Sequence, residues 1–280
     1  MTNFHGQSVL ITGASSGIGA ALAREFSREG ADLMLAARRE DRLAALAAEL
    51  RAGGRRVLTA RCDVTTDGDV ERAAAAMRQA FGRIDVVVAN AGFGVVGPIE
   101  ALTLDDYRRQ FETNVFGVLR TIYATLGDLK ASRGRLAIIG SVTGYLASPG
   151  SSPYAMSKFA VRALAEAIGH ELAPQGVSVT LISPGFVESE IRRVDNRGAM
   201  RTEAPEPIPR WLVMRTATAA RQIVRAIARR RREAVITGHG KVAVFVQRHF
   251  PWLIASAVRR LGLRSRAEPG RSPSAQSRAR

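Results

Sequence analysis

The sequence predicts a single doubly wound α/β domain, a parallel sheet covered by helices on both faces in three layers (α/β/α), with a basic amphipathic extension at the C-terminus. Three observations predict it. Short apolar, β-rich runs alternate with helical stretches through the first 238 residues, and that alternation calls for crossover connections and parallel strands. A glycine-rich turn stands between the first run and the first helix. The net charge of +16 is confined to one end: residues 1–191 hold 20 Lys+Arg and 20 Asp+Glu, so the whole excess falls in residues 192–280.

The elements follow in order. "SVLIT" (8–12) is a short buried strand, and "AALAREFSREG" after the glycine-rich turn is a helix closed by glycine. "ADLMLAA" (31–37) and "REDRLAALAAELRAGG" (39–54) form the next strand and helix. "RVLTARCDV" and "GDVERAAAAMRQAFG" repeat the unit, and "IDVVVANAG" (84–92) is the fourth strand. One helical stretch covers 104–130. "GRLAIIGSV" (134–142), a helix over 154–172 and "VSVTLISPG" (177–185) complete six strands. Residues 186–215 contain Pro205, Pro207 and Pro209 and break the rhythm, as a flap would. Residues 216–232 are helical and "EAVITG" (233–238) is a last strand. The expected organisation is a catalytic domain over 1–240, a basic amphipathic segment over 241–264 divided at Pro251, and a disordered tail over 265–280.

At 280 residues and 46% hydrophobic, the chain can build one substantial core. Its one cysteine, Cys62, excludes an intrachain disulfide and suits a reducing cytoplasm. His5, His170, His239 and His249 show no metal-ligand spacing, so no metal is expected. The N-terminus lacks the pattern of a secretory signal. No stretch reaches the roughly 18 apolar residues of a spanning helix.

Ligands of such sheets bind beyond the carboxyl ends of the strands, and every motif falls at one of those ends. "TGASSGIG" carries Gly13, Gly17 and Gly19 between a strand and a helix. Glycine permits the tight turn and the close approach of a pyrophosphate, and the helix N-terminus supplies free N–H groups. The spacing is T-G-x-x-x-G-x-G, which differs from G-x-G-x-x-G. The end of the second strand reads "LAARRED". An acid there would bond the 2′-hydroxyl of NAD, whereas arginine suits the 2′-phosphate of NADP. Arg38 and Arg39 therefore predict NADP(H), with Arg38 placed first. Tyr154 and Lys158 are one helical turn apart, in the first turns of a helix that opens near Pro153.

With these residues the chain resembles the short-chain dehydrogenase/reductase superfamily, in its compact branch, over residues 6–238; the extended branch has another glycine pattern. "NAG" (90–92), Asn114, Ser141, Tyr154-x-x-x-Lys158 and Pro184-Gly185 stand in the family's order. Two positions depart: Ala89 replaces the first asparagine of the usual Asn-Asn-Ala-Gly, and Ser189 takes the place of a threonine after Pro-Gly. The resemblance implies a Rossmann-like fold and an NAD(P)-dependent oxidoreductase. It implies Tyr154 as general acid/base, Lys158 lowering its pKa and bonding the nicotinamide ribose, Ser141 holding the substrate oxygen, and Asn114 holding a water linked to the lysine. Implied cofactor contacts are Gly13, Ser15, Ser16, Gly17, Ile18 and Gly19, then Arg38 and Arg39, then Asp63 (at adenine) and Val64. They continue with Asn90, Ala91 and Gly92, Tyr154 and Lys158, and finally Pro184, Gly185, Val187 and Ser189.

The partner is then a small carbonyl or alcohol, and the apolar residues of the flap suit a hydrophobic one while its arginines suit an acidic one. A homodimer or homotetramer is implied by the resemblance. Residues 241–266 combine Val, Phe, Trp, Ile and Leu with six basic side chains. They fit an anionic membrane surface or packing on the protein, which leaves a cytoplasmic enzyme with or without peripheral membrane association. "RRRR" (229–232) lacks an aromatic platform, so nucleic acid is not the expected partner. The competing readings are an NAD-preferring relative and a non-catalytic nucleotide sensor or membrane-surface scaffold. The complete set Asn114, Ser141, Tyr154 and Lys158 argues against the scaffold.

Overall fold

The computed structural model describes residues 4–190, 196 and 208–260. Seven strands form one parallel sheet: β1 (Ser8–Thr12), β2 (Asp32–Ala37), β3 (Val57–Arg61), β4 (Val86–Ala89), β5 (Arg135–Ile139), β6 (Ser178–Ser183) and β7 (Glu233–Val235). Their spatial order is β3-β2-β1-β4-β5-β6-β7. From β1 the chain first winds outward through β2 and β3, then returns to place β4 on the other side of β1, with Val9 facing Leu33 on one neighbour and Val86 on the other. That reversal opens a crevice at the carboxyl ends of β1 and β4.

The inner strands are buried on both faces, which is why they read as continuous apolar runs instead of alternating ones. One face is covered by α1 (Gly17–Arg28), α2 (Glu40–Ala52) and α7 (Thr216–Ala228), through Leu22, Phe26, Leu43 and Ile223. The other is covered by α3 (Asp69–Phe81), α5 (Gly117–Ser132) and α6 (Ser152–Leu172), through Met77, Leu129 and Val161. Each such side chain contributes roughly 1.5–3 kcal/mol by leaving water.

The single helix expected over 104–130 is instead three pieces. α4 (Leu104–Phe111) begins at a capping box between Thr103 and Asp106. A π-helical turn, Glu112–Phe116, follows and leads into α5. A π turn accommodates one extra residue, and here that residue set includes Asn114, whose buried amide is turned inward to hydrogen-bond backbone. The helix expected over 216–232 stops at Ala228. Arg230 takes a left-handed φ of 50°, and its guanidinium donates to the carbonyls of Arg133, Gly134 and Gly176.

At the base of the expected flap, Phe186 and Glu188 pair with Met214: the Met214 N–H donates to Phe186 O (2.9 Å) and the Glu188 N–H to Met214 O (3.0 Å). Asn196 exchanges amide hydrogen bonds of 2.8 and 3.0 Å with the backbone of Val96. The rest of the flap's centre, and the tail expected over 265–280, lie outside the described residues. Pro251 does divide the basic segment, giving α8 (Gly238–His249) and α9 (Pro251–Arg260). Arg248 of α8 pairs with Glu233 (2.8 Å) and lies over the Tyr145 ring. Among the described residues no helix is long and apolar enough to cross a membrane.

Candidate active site

The glycine-rich turn is shaped by close approach. Gly13 adopts φ +67°, where side chains are strained, and a Cβ there would lie 2.8 Å from Ala91 Cα. A Cβ on Gly19 would strike the Gly13 carbonyl and come within 2.6 Å of Asn90 Nδ2. Asn90 donates that amide to the carbonyls of Thr12 (2.9 Å) and Gly13 (3.1 Å). In return the Thr12 hydroxyl oxygen accepts the N–H groups of Asn90 (3.1 Å) and Ala91 (3.3 Å). The "TG" and "NAG" motifs are thereby locked together at the ends of β1 and β4. Ser16 precedes α1 without a side-chain cap, so the first N–H groups of that helix face the crevice unserved by its hydroxyl. Ile18 packs its side chain on the core. The cradle fits a nucleotide pyrophosphate, because backbone donors converge where no side chain can stand.

At the end of β2 the two arginines part. Arg38 is 68% exposed and stands 3.9 Å from Asp63 Oδ2. Arg39, placed second by the sequence, is the one that crosses the turn, donating to Ser16 Oγ (2.6 Å) and Ser15 Oγ (3.2 Å). Glu190 joins it at 3.0 Å and also takes Arg42 at 2.6 Å. Asp63 accepts from the Thr65 N–H (3.0 Å) and hydroxyl (2.8 Å), so one of its oxygens orders the loop after β3. Val64 is buried against Gly117, where a Cβ would lie 2.6 Å from its Cγ2.

The loop after β4 hangs from two buried amides. Asn114 accepts from the Phe93 N–H (3.1 Å) and donates to Phe93 O (3.0 Å) and Ser157 Oγ (3.1 Å). Gln110 accepts from the Val95 N–H (2.6 Å) and donates to Phe93 O (2.9 Å). A Cβ on Gly92 would lie 3.1 Å from Asn114 Oδ1. Thr12, Gln110 and Ser157 were not singled out from the sequence. Gln110 and Asn114 stand four apart, and two amides on one helical face were the available signal.

α6 brings Tyr154 and Lys158 to the same face. Tyr154 packs beside Gly94, where a Cβ would lie 3.6 Å from its ring. Lys158 is buried, with its ammonium 5.6 Å from the Tyr154 ring centre and donating to Ile139 O at 2.8 Å. Burial lowers its pKa to about 8. Ser141 accepts from the Thr143 N–H at 3.1 Å, capping the turn after β5, and that bond leaves its hydroxyl proton unused. The neighbouring Val142 N–H donates to Pro184 O (2.9 Å), tying this turn to the end of β6. Beyond Gly185, Val187 is buried in the flap's base, and a Cβ on Gly17 would lie 3.3 Å from Ser189 Oγ. Contacts thus link the ends of β1, β4, β5 and β6 and bring the glycine-rich turn and the tyrosine–lysine pair to the same edge of the sheet.

Such a sheet, with a glycine-rich turn at the end of β1, defines the dinucleotide-binding α/β class of fold. The family model described as short chain dehydrogenase matches residues 7–199, and the chain belongs to that family. The chain is 33% identical over 274 residues to 11-beta-hydroxysteroid dehydrogenase A of Sesamum indicum, covering 94% of this chain and 78% of that one. A 37% match over 187 residues to glycine betaine reductase ATRR of Emericella nidulans covers 66% of this chain but only 15% of that protein. A short chain dehydrogenase/reductase from Burkholderia phymatum, solved in complex with NAD, superposes with a TM-score of 0.79 at 27% identity, covering 97% of this chain and 100% of that one. An alcohol dehydrogenase from the archaeon Thermococcus sibiricus, solved with 5-hydroxy-NADP, gives 0.71 at 29% identity over 82% of this chain and 96% of that one.

Proposed function

We propose that the protein is an NADP-dependent oxidoreductase that interconverts a carbonyl and an alcohol, with Tyr154 as general acid/base. The observation that carries this reading is the Tyr154 ring 5.6 Å from the buried Lys158 ammonium, at the edge of the sheet that also holds the cradle. A free tyrosine, with a pKa of about 10, is a weak base at neutral pH. A nearby ammonium stabilises the phenolate and brings proton transfer into range. Tyr154 gives its proton to the carbonyl oxygen in reduction and takes one from the alcohol in oxidation. Ser141 donates its unused hydroxyl proton to that same oxygen and stabilises its developing charge. Asn114 keeps the Phe93 backbone and Ser157 in place beneath the pair. Bound at the cradle, the nicotinamide cofactor supplies or accepts the hydride.

The preference for NADP rests on Arg38 and Arg39, two cations in the positions directly after β2 where an acid would bond a 2′-hydroxyl. A hydrophobic substrate is supported by Val96, Ile99 and Phe186, exposed on the loops after β4 and β6, and by the likeness to a hydroxysteroid dehydrogenase. Replacing Tyr154 with Phe should abolish turnover of ketones and alcohols while NADPH binding, followed by fluorescence, persists. Turnover above a tenth of wild type would refute the role.

Phe116 at the end of the π turn, Tyr123 on α5, and Met156 and Phe159 on α6 are exposed, which supports a homodimer or homotetramer. We also infer that α8 and α9 form an accessory surface for anionic lipid, because Val242, Phe245, Trp252 and Leu253 are exposed among basic side chains. Co-sedimentation with phosphatidylserine vesicles, lost in a Trp252→Ser, Leu253→Ser variant, tests it. Equal sedimentation of both proteins would dismiss that surface.

A further inference from the structure

We propose that Glu190 sets how strongly the protein distinguishes a nucleotide bearing a 2′-phosphate from one bearing a 2′-hydroxyl, by occupying the anion position itself until the phosphate displaces it. The proposal rests on the NADP reading above and adds a residue to it.

Four groups from two parts of the chain meet at, or stand beside, one carboxylate from a third. Arg39 stands 3.0 Å from Glu190 Oε2 and Arg42 stands 2.6 Å from Oε1. Arg39 also holds Ser15 and Ser16 of the glycine-rich turn. Two guanidinium groups and two hydroxyls form the donor set that a phosphate dianion recognises. Here the ligand of that set is internal, from a residue 151 positions along the chain from Arg39. Arg42 lies in the first turn of α2, where the helix dipole disfavours a cation. Its ion pair with Glu190 offsets that placement. Partial burial pushes the Glu190 pKa up, but the bonds from Arg42 and Arg39 outweigh it, and the carboxyl stays below its ordinary value.

A 2′-phosphate and the Glu190 carboxylate carry the same sign and seek the same guanidinium. A phosphate seated on Arg39 takes donors that now hold Glu190, so its binding breaks the Arg39–Glu190 pair while Arg42 keeps the carboxylate close by. A 2′-hydroxyl has no such conflict. The carboxylate therefore weakens binding of the phosphorylated nucleotide selectively.

The test is calorimetric titration of the full-length protein with 2′,5′-ADP and with 5′-AMP, in wild type and Glu190→Gln. The expected result is about fivefold tighter 2′,5′-ADP binding in Glu190→Gln, from loss of a partly exposed competing pair, with 5′-AMP within about twofold of wild type on the same scale. If wild type prefers 2′,5′-ADP but Glu190→Gln changes nothing, the competition is overturned and the NADP reading stands. If neither protein prefers 2′,5′-ADP, both fall. If Glu190→Gln instead loses 5′-AMP affinity, Glu190 serves the ribose hydroxyl and the proposal is overturned.

Discussion

The Lys158 ammonium lies 5.6 Å from the centre of the Tyr154 ring while donating to the Ile139 carbonyl at 2.8 Å. One cation is thus both anchored to the end of β5 and presented to the phenol. Its burial, with a pKa near 8, makes the pair sensitive to mild alkali. In the proposed mechanism, carbonyl reduction needs a protonated Tyr154 and a charged Lys158. Its kcat/KM should therefore decline as pH rises through the region of 8, as an apparent property of the coupled pair. A pH profile flat to 10 would contradict this.

The same burial has a cost in stability. Lysine titrates near 10.4 in an unfolded chain and near 8 here. Between those values the unfolded chain holds more protons, so stability rises with pH across that window and the full penalty applies below about 8. Lys158→Met removes a penalty of about 3 kcal/mol and orphans the Ile139 carbonyl at about 1 kcal/mol. The variant should melt at the same temperature or about 2–4 °C higher and yet lose nearly all turnover. Calorimetry beside an activity assay checks it.

Gln110 is fully buried and serves two backbone groups of the loop after β4. Gln110→Ala leaves the Val95 N–H unpaired and should cost about 2–3 kcal/mol in urea unfolding. It should also raise the KM for cofactor, because "NAG" sits on the same loop. Gln110→Leu should cost nearly as much, since the loss is of hydrogen bonds and not of volume.

Gly19→Ala reverses the ordinary helix rule. Alanine in place of glycine inside a helix is favourable by about 1 kcal/mol, but here the new Cβ meets the Gly13 carbonyl and Asn90 Nδ2. The expected outcome is a net loss of stability together with nucleotide binding weakened more than tenfold. Thermal melting and NADPH fluorescence titration read the two effects separately.

The Phe186 N–H donates to His239 Nε2 at 3.1 Å, and the rings stack at 5.2 Å. Burial lowers the imidazole pKa. As pH falls through about 6.5 the unfolded chain takes up the proton first, so stability drops in that window and is fully present above it. Wild type should lose more melting temperature between pH 7.5 and 5.5 than His239→Phe, which keeps the stack.

The fold was legible because each strand is an apolar run bounded by turn residues and each helix has its own period. "SVLIT" is β1 residue for residue, and the place of Pro251 at a helix junction followed from its missing N–H. The site motifs were legible for a similar reason, since they sit where strands end. What could not be read was the direction of side chains. Nothing in "ARRED" says that the second arginine, not the first, crosses the turn, because the choice depends on Glu190 arriving from beyond β6. Nothing in 104–130 marks a π turn, since the backbone that Asn114 meets from it belongs to a distant loop.

That turn sets a limit on how this stretch of chain can change. Thr103 fixes the start of α4 through its capping box, and Gly117 and Ser132 fix α5 against Val64 and the Ile84 carbonyl. Each residue advances an α-helix by about 100°. Removing one residue between these fixed ends would straighten the coil and swing either the amide of Asn114 or the whole of α5 out of phase. The segment can thus exchange side chains far more readily than it can alter its length, and its odd residue acts as a spacer that keeps two rigid rods in step.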